Sequence, residues 1–216
     1  MDDRRPDIAA IRFALLRRLA PGMRHRLMGQ LQALQFSAEL VGRLLDAEAQ
    51  RPKLETSVRQ LAPQTQAAVA AATTLIEWLR EDERATTSLE ESLPQYLRVA
   101  GDDWNLRGIE GTVDVRTDGA HVAKTALREL TVTSLLALTD AQPGALDVRI
   151  AAERAGEEIV VRLNATAGNR ASPLPELART IRIGCSDVNA LAAAHGIACA
   201  CARDEVTLRL PVLPPS

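Results

Sequence analysis

The chain has 216 residues, 25% of them charged, and a formal net charge of -2 with acids and bases interspersed. That balance gives no basic footprint, and two Trp, two Phe and one Tyr are poor material for stacking bases, so nucleic acid is excluded as the expected partner. The opening Met1-Asp2-Asp3-Arg4-Arg5-Pro6 has no apolar core and no run of about 18 apolar residues follows, so neither a signal peptide nor a membrane span is expected, and a cytoplasmic location is.

Up to about residue 85 the only glycines are Gly22, Gly29 and Gly42, and the pattern is helical almost throughout. An opening segment carries Ile8, Ile11, Leu15 and Leu19. Pro21 and Gly22 then interrupt the periodicity, and Pro21 is suited to start a new helix because its missing N–H costs nothing in a first turn. That helix is expected to run to about Ala49, with Leu27, Leu31, Leu34, Ala38, Val41 and Leu45 alternating steps of four and three, the seam of a helix that packs on others. His25 lies off the seam and is expected to face solvent.

Arg51-Pro52 reads as a turn. A second helix follows with Leu54, Val58, Leu61, Thr65, Ala68, Ala72, Leu75 and Leu79, bent but not ended by Pro63. The two should zip into an antiparallel hairpin. A hairpin cannot bury a continuous seam alone, so a twofold partner completing a four-helix bundle is expected; packing on the C-terminal half of the same chain is the alternative.

Glu81-Asp82-Glu83-Arg84 reads as a linker, placing a helical domain at 1–85 and a second domain at 86–216. In the second, Leu89 to Ala100 is a short helix broken by Pro94, Ile109 to Arg116 a strand, and Val122 to Thr139 a helix. Two strands follow, Leu146 to Ala151 and Glu158 to Leu163, joined around Gly156. A helix from about Asp187 to His195 stops at Gly196, and strands close the chain near Ile197 to Ala202 and Val206 to Pro211. The fold class is therefore α+β: a helical hairpin followed by an α/β sandwich with a mixed sheet and helices on one face. Cys185, Cys199 and Cys201 offer no zinc quartet and are expected to be small apolar residues without a redox role. His121 and His195 have no second His or carboxylate at helical ligand spacing, and no metal site is expected.

The segment His25-Arg26-Leu27-Met28-Gly29-Gln30-Leu31-Gln32 resembles the H-box of one class of two-component sensor histidine kinases. The C-terminal half is similar to the ATP-binding domain that follows it. Leu127-Arg128-Glu129-Leu130 through Pro143-Gly144 matches the asparagine-bearing helix, Ile183-Gly184-Cys185 through Ala194-His195-Gly196 the last helix, and Leu208-Arg209-Leu210-Pro211 the final strand. The departures matter: the helix has no Asn, with Thr133 or Leu136 in the expected place, and the adenine loop resembles Asn164-Ala165-Thr166-Ala167-Gly168 without its carboxylate. The phosphate-binding glycines are reduced to Gly184.

An H-box kept beside an eroded nucleotide site is similar to the dimeric histidine phosphotransferases of bacterial phosphorelays. That resemblance implies a homodimer without a cofactor of its own, passing a phosphoryl group between aspartates of response-regulator receiver domains, the receiver bringing magnesium. His25 is then the phosphoacceptor. Arg24 and Arg26 would attract the phosphoryl group or an acidic receiver surface, and Gln30 would hydrogen-bond near the imidazole. A non-catalytic pseudokinase scaffold that binds a response regulator or kinase is the alternative, and a diverged ATP-dependent kinase a third.

Overall fold

The computed structural model describes residues 7–46, 51–80, 84–101, 104, 108–170 and 181–215. The predicted helix end near Ala49 and the charged residues Glu81, Asp82 and Glu83 lie outside them. Two long helices come first, α1 (Ile8–Asp46) and α2 (Arg51–Leu79). Then follow β1 (Thr86–Ser88), α3 (Leu89–Gly101), β2 (Glu110–Arg116), β3 (His121–Ala123) and α4 (Lys124–Asp140). The hairpin of β4 (Leu146–Ala155) and β5 (Glu158–Ala167) precedes α5 (Cys185–Ala194), β6 (Ala198–Cys201) and β7 (Glu205–Pro211).

The architecture is α+β, with a mixed five-stranded sheet in the order β2-β4-β5-β7-β6. Only β2 and β4 run parallel; the other neighbours are antiparallel. Period-two alternation builds its core face. Val148, Ile150, Ile159, Val161, Leu163, Val206, Leu208 and Leu210 are buried, while Asp147, Arg149, Glu153 and Arg209 between them are exposed. α4 packs on this face, and every residue from Ala126 to Thr139 is buried. Gly156 sits in the β4–β5 turn at φ +68°, and Gly196 follows α5 at φ +67°, conformations that favour glycine.

Three prolines behave differently from expectation. Pro21 does not start a helix: α1 runs through it without a break. Its ring is exposed, and Ile11, Leu15, Leu19 and Met23 are buried at four-residue spacing on both sides. Each such side chain is worth about 1.5–3 kcal/mol, enough together to outweigh the roughly 3 kcal/mol that an interior proline costs. Pro52 lies in the first turn of α2 rather than before it, where a missing N–H is harmless. Pro94 does not break α3, whose Leu89, Leu93 and Tyr96 are buried.

The short strands β1 and β3, paired antiparallel, were not foreseen; three residues each are too few to show a period. Cys185 and Cys201 form a disulfide, with Cα atoms 5.5 Å apart, which corrects the expectation of three unpaired cysteines. The pairing follows from the packing of α5 on β6, which no spacing in the sequence reveals. Cys199 remains free and half-buried, and burial raises its thiol pKa.

The chain divides into two compact units, one of residues 20–81 and the other of residues up to Leu19 together with 82–216. The opening turns of α1, grouped with the hairpin in the sequence, thus cluster with the sheet unit. Within 20–81 the predicted seam splits. Leu27, Leu34 and Val41 share a sheltered stripe with Gln30, Ser37 and Leu44, while Leu31, Ala38 and Leu45 are exposed. On α2 the sheltered stripe is Leu54, Ser57, Leu61, Gln64, Ala68, Leu75 and Trp78, and Val58, Thr65 and Leu79 are exposed. A single contact line between helices shelters one stripe; the predicted set spans two.

Candidate functional site

His25 stands exposed in the middle of α1, as its place off the seam predicts. Successive helical residues are about 100° apart, so Arg24 and Arg26 flank it at about a quarter turn on either side. Arg24 is exposed and Arg26 half-buried. Gln30, five positions on, is about 140° round the helix and lies in the sheltered stripe, so the structure does not bring it to His25. The residues that do border the imidazole along the helix are Pro21 and Gly29, one turn before and after it, with Met28 and Gln32 beside Gly29.

Gly29 is exposed, and a Cβ added there would meet no atom within 4 Å. A glycine inside an exposed helix costs about 1 kcal/mol relative to alanine. Here it leaves the flank of the imidazole bare. The signal for it in the sequence is its i+4 spacing from His25.

The surface resembling a nucleotide site is built differently from what the resemblance implies. Glu129, Thr133, Leu136 and Asp140 fall on one stripe of α4, four, seven and eleven residues apart. Thr133 is fully buried, and its Oγ1 has no hydrogen-bond partner among the described residues. Asn164, expected in an adenine loop, lies within β5, paired in register with Arg149. By alternation it shares the charged outer face with Arg149 and Arg162; the inward position is Ala165, which is buried. Among the described residues, no group of three or more His, Cys, Asp or Glu side chains could hold a metal ion.

Glu129 is instead the centre of a buried ion cluster. Arg12 Nε of α1 lies 3.0 Å from its Oε1, and His195 Nε2, just past α5, is 2.8 Å from its Oε2. Burial alone would raise the pKa of this carboxyl, but the hydrogen bond from His195 and the charge of Arg12 more than compensate and hold it below the ordinary carboxylate value. Further along the stripe, Arg18 Nη2 approaches Asp140 Oδ1 at 3.4 Å, and the Ile183 N–H donates to Asp140 Oδ2 at 3.2 Å. Sequence spacing could not pair residues this distant in the chain; the available signal is that Arg12 and Arg18 border the Ile11–Leu15–Leu19 stripe of α1 on either side.

No protein family matches the sequence, and no curated protein does. Solved structures do resemble the fold. The histidine kinase AdeS of Acinetobacter baumannii is similar over 88% of this chain and 98% of that one, at 12% identity and a TM-score of 0.47. A histidine kinase from Burkholderia phymatum STM815 is similar over 95% of this chain and 98% of its own, at 15% identity and a TM-score of 0.45. A bacterial phosphotransferase is similar over 94% and 95% of the two chains, at 13% identity and a TM-score of 0.39.

Proposed function

We propose that the protein is a histidine phosphotransferase, receiving a phosphoryl group on His25 from the aspartyl phosphate of a receiver domain and returning it to another, without using ATP. The observation that carries the reading is His25 itself, exposed on a long helix, with bare glycine on one flank and arginines to either side. In the forward step a neutral imidazole nitrogen attacks phosphorus. The N–P bond forms as the P–O bond to the aspartate breaks, the electron pair leaves on the carboxylate, and the other ring nitrogen gives its proton to water. The receiver supplies magnesium, which neutralises charge on the phosphoryl oxygens; this chain supplies the nucleophile and, through Arg24 and Arg26, positive potential around it. The replacement of asparagine by Thr133 or Leu136 on α4, and the outward place of Asn164, favour a donor other than ATP. The test is transfer of label from a phosphorylated receiver domain; complex formation without label would support the scaffold instead.

Clearance beside His25 can be checked separately. Gly29→Trp is expected to slow transfer about tenfold or more by obstructing the approach to the imidazole, whereas Gly29→Ala, whose Cβ meets no atom within 4 Å, leaves the rate unchanged. Equal rates for both variants would show that the partner does not approach along this flank.

The outer apolar stripes argue for a second copy of the chain. Leu31, Ala38 and Leu45 on α1 and Val58, Val69 and Ile76 on α2 are exposed, each set aligned along its helix. Covering such stripes twofold gives a four-helix bundle. The expected result is a dimer by sedimentation equilibrium that becomes a folded monomer in the Leu31→Asp, Ile76→Asp variant. A wild-type chain that stays monomeric at tens of micromolar would overturn this part of the reading.

A further inference from the structure

The opening turns of α1 are tied to the sheet unit at two points. Arg12 reaches Glu129, which also bonds His195 beyond α5; Arg18 reaches Asp140, whose other oxygen holds the Ile183 N–H on the way into α5. Between and beside these ties Ile11, Leu15 and Leu19 are buried. Both ties reach one stripe of α4, and that stripe is acidic at both ends, at Glu129 and Asp140. It suits a cationic helix and repels phosphates.

The docked part ends where the helix is weakest. Residues up to Leu19 belong to the sheet unit and those from Ala20 on to the other, although α1 is continuous across the boundary. Immediately after it come Pro21, which leaves the carbonyl of Arg17 without its intrahelical N–H, and Gly22, the residue with most backbone freedom. His25 follows one turn later.

We propose that residues 8–19 are a latch: an arginine-bearing occupant, supplied by the chain itself, of the acidic stripe of α4. It detaches as a unit by opening at Pro21-Gly22. The Arg12–Glu129 and Arg18–Asp140 pairs hold it shut, and its release uncovers Glu129 and Asp140. Because the latch belongs to the helix that carries His25, the inference bears on the proposed phosphotransfer. It is measured without a receiver domain, so either reading can fail alone.

Native-state hydrogen exchange on the full chain tests it. In the wild-type chain, amides of residues 8–19 are expected to exchange about tenfold faster or more than those of β4 and β5, through an opening of their own, and Arg12→Glu, Arg18→Glu should raise their rate about tenfold further. Arg12→Lys, Arg18→Lys should retain most of the protection, since charge is kept. Two results would overturn the latch: unchanged protection of 8–19 in the charge-reversed chain, or exchange of 8–19 only together with β4 and β5, which would make these turns an inseparable part of the core.

Discussion

A His25→Gln chain offered a phosphorylated receiver domain takes up no label, a fall of at least about 10³-fold against wild type. Glutamine is a stringent choice. It keeps a planar polar group of similar reach and a helix propensity at least as good, but its amide nitrogen has no free lone pair with which to attack phosphorus. His25 is exposed on a helix, and substitutions at such positions usually shift stability by less than about 0.5 kcal/mol, so a folded, inactive variant is expected. In the wild-type chain the label should be lost in acid and survive alkali, as a phosphoramidate does and an acyl phosphate does not. Label that persists in His25→Gln would point to His121 or His195. His195 is already engaged by Glu129, and His121 lies half-buried in β3 near the Thr86 hydroxyl.

Legibility of the fold followed the length of the periodic signal. The ten-residue strands β4 and β5 and the helix α4 are visible in the sequence because alternation or helical spacing repeats several times within each. The strands β1 and β3 carry no such repeat, and their pairing joins residues far apart in the chain. At the prolines of α1 and α3 local chemistry predicts a break, and burial of Leu15, Leu19, Leu93 and Tyr96 overrides it. His25 was legible because exposure follows from its phase relative to the seam. Gln30 was not, because five residues along a helix bring a side chain to a different face. The Cys185–Cys201 disulfide and the Glu129 cluster depend on how helices settle against each other, which a single sequence does not encode locally.

Removing Glu129 is expected to have the largest effect on stability of any single polar substitution in the sheet unit. Its side chain is only 6% exposed and faces two cationic or proton-sharing partners, Arg12 and His195. Glu129→Ala leaves both without their acceptor beside a cavity, and a loss of about 3–5 kcal/mol at pH 7 is expected from urea unfolding. Glu129→Gln keeps the volume and one acceptor oxygen and should cost less. The pH dependence separates charge from shape. The carboxyl is held below its ordinary value of 4.5 in the folded chain, so its contribution is fully present above that value. It is lost as pH falls through the lower folded value, where the native carboxylate finally takes up its proton. Wild type and Glu129→Gln should therefore differ most at neutral pH and converge as pH falls below 4.5. A difference that stays constant from pH 7 to pH 3 would mean that Glu129 stabilises the α1–α4–α5 junction by packing and hydrogen bonding alone, and that the charge on Arg12 contributes nothing to it.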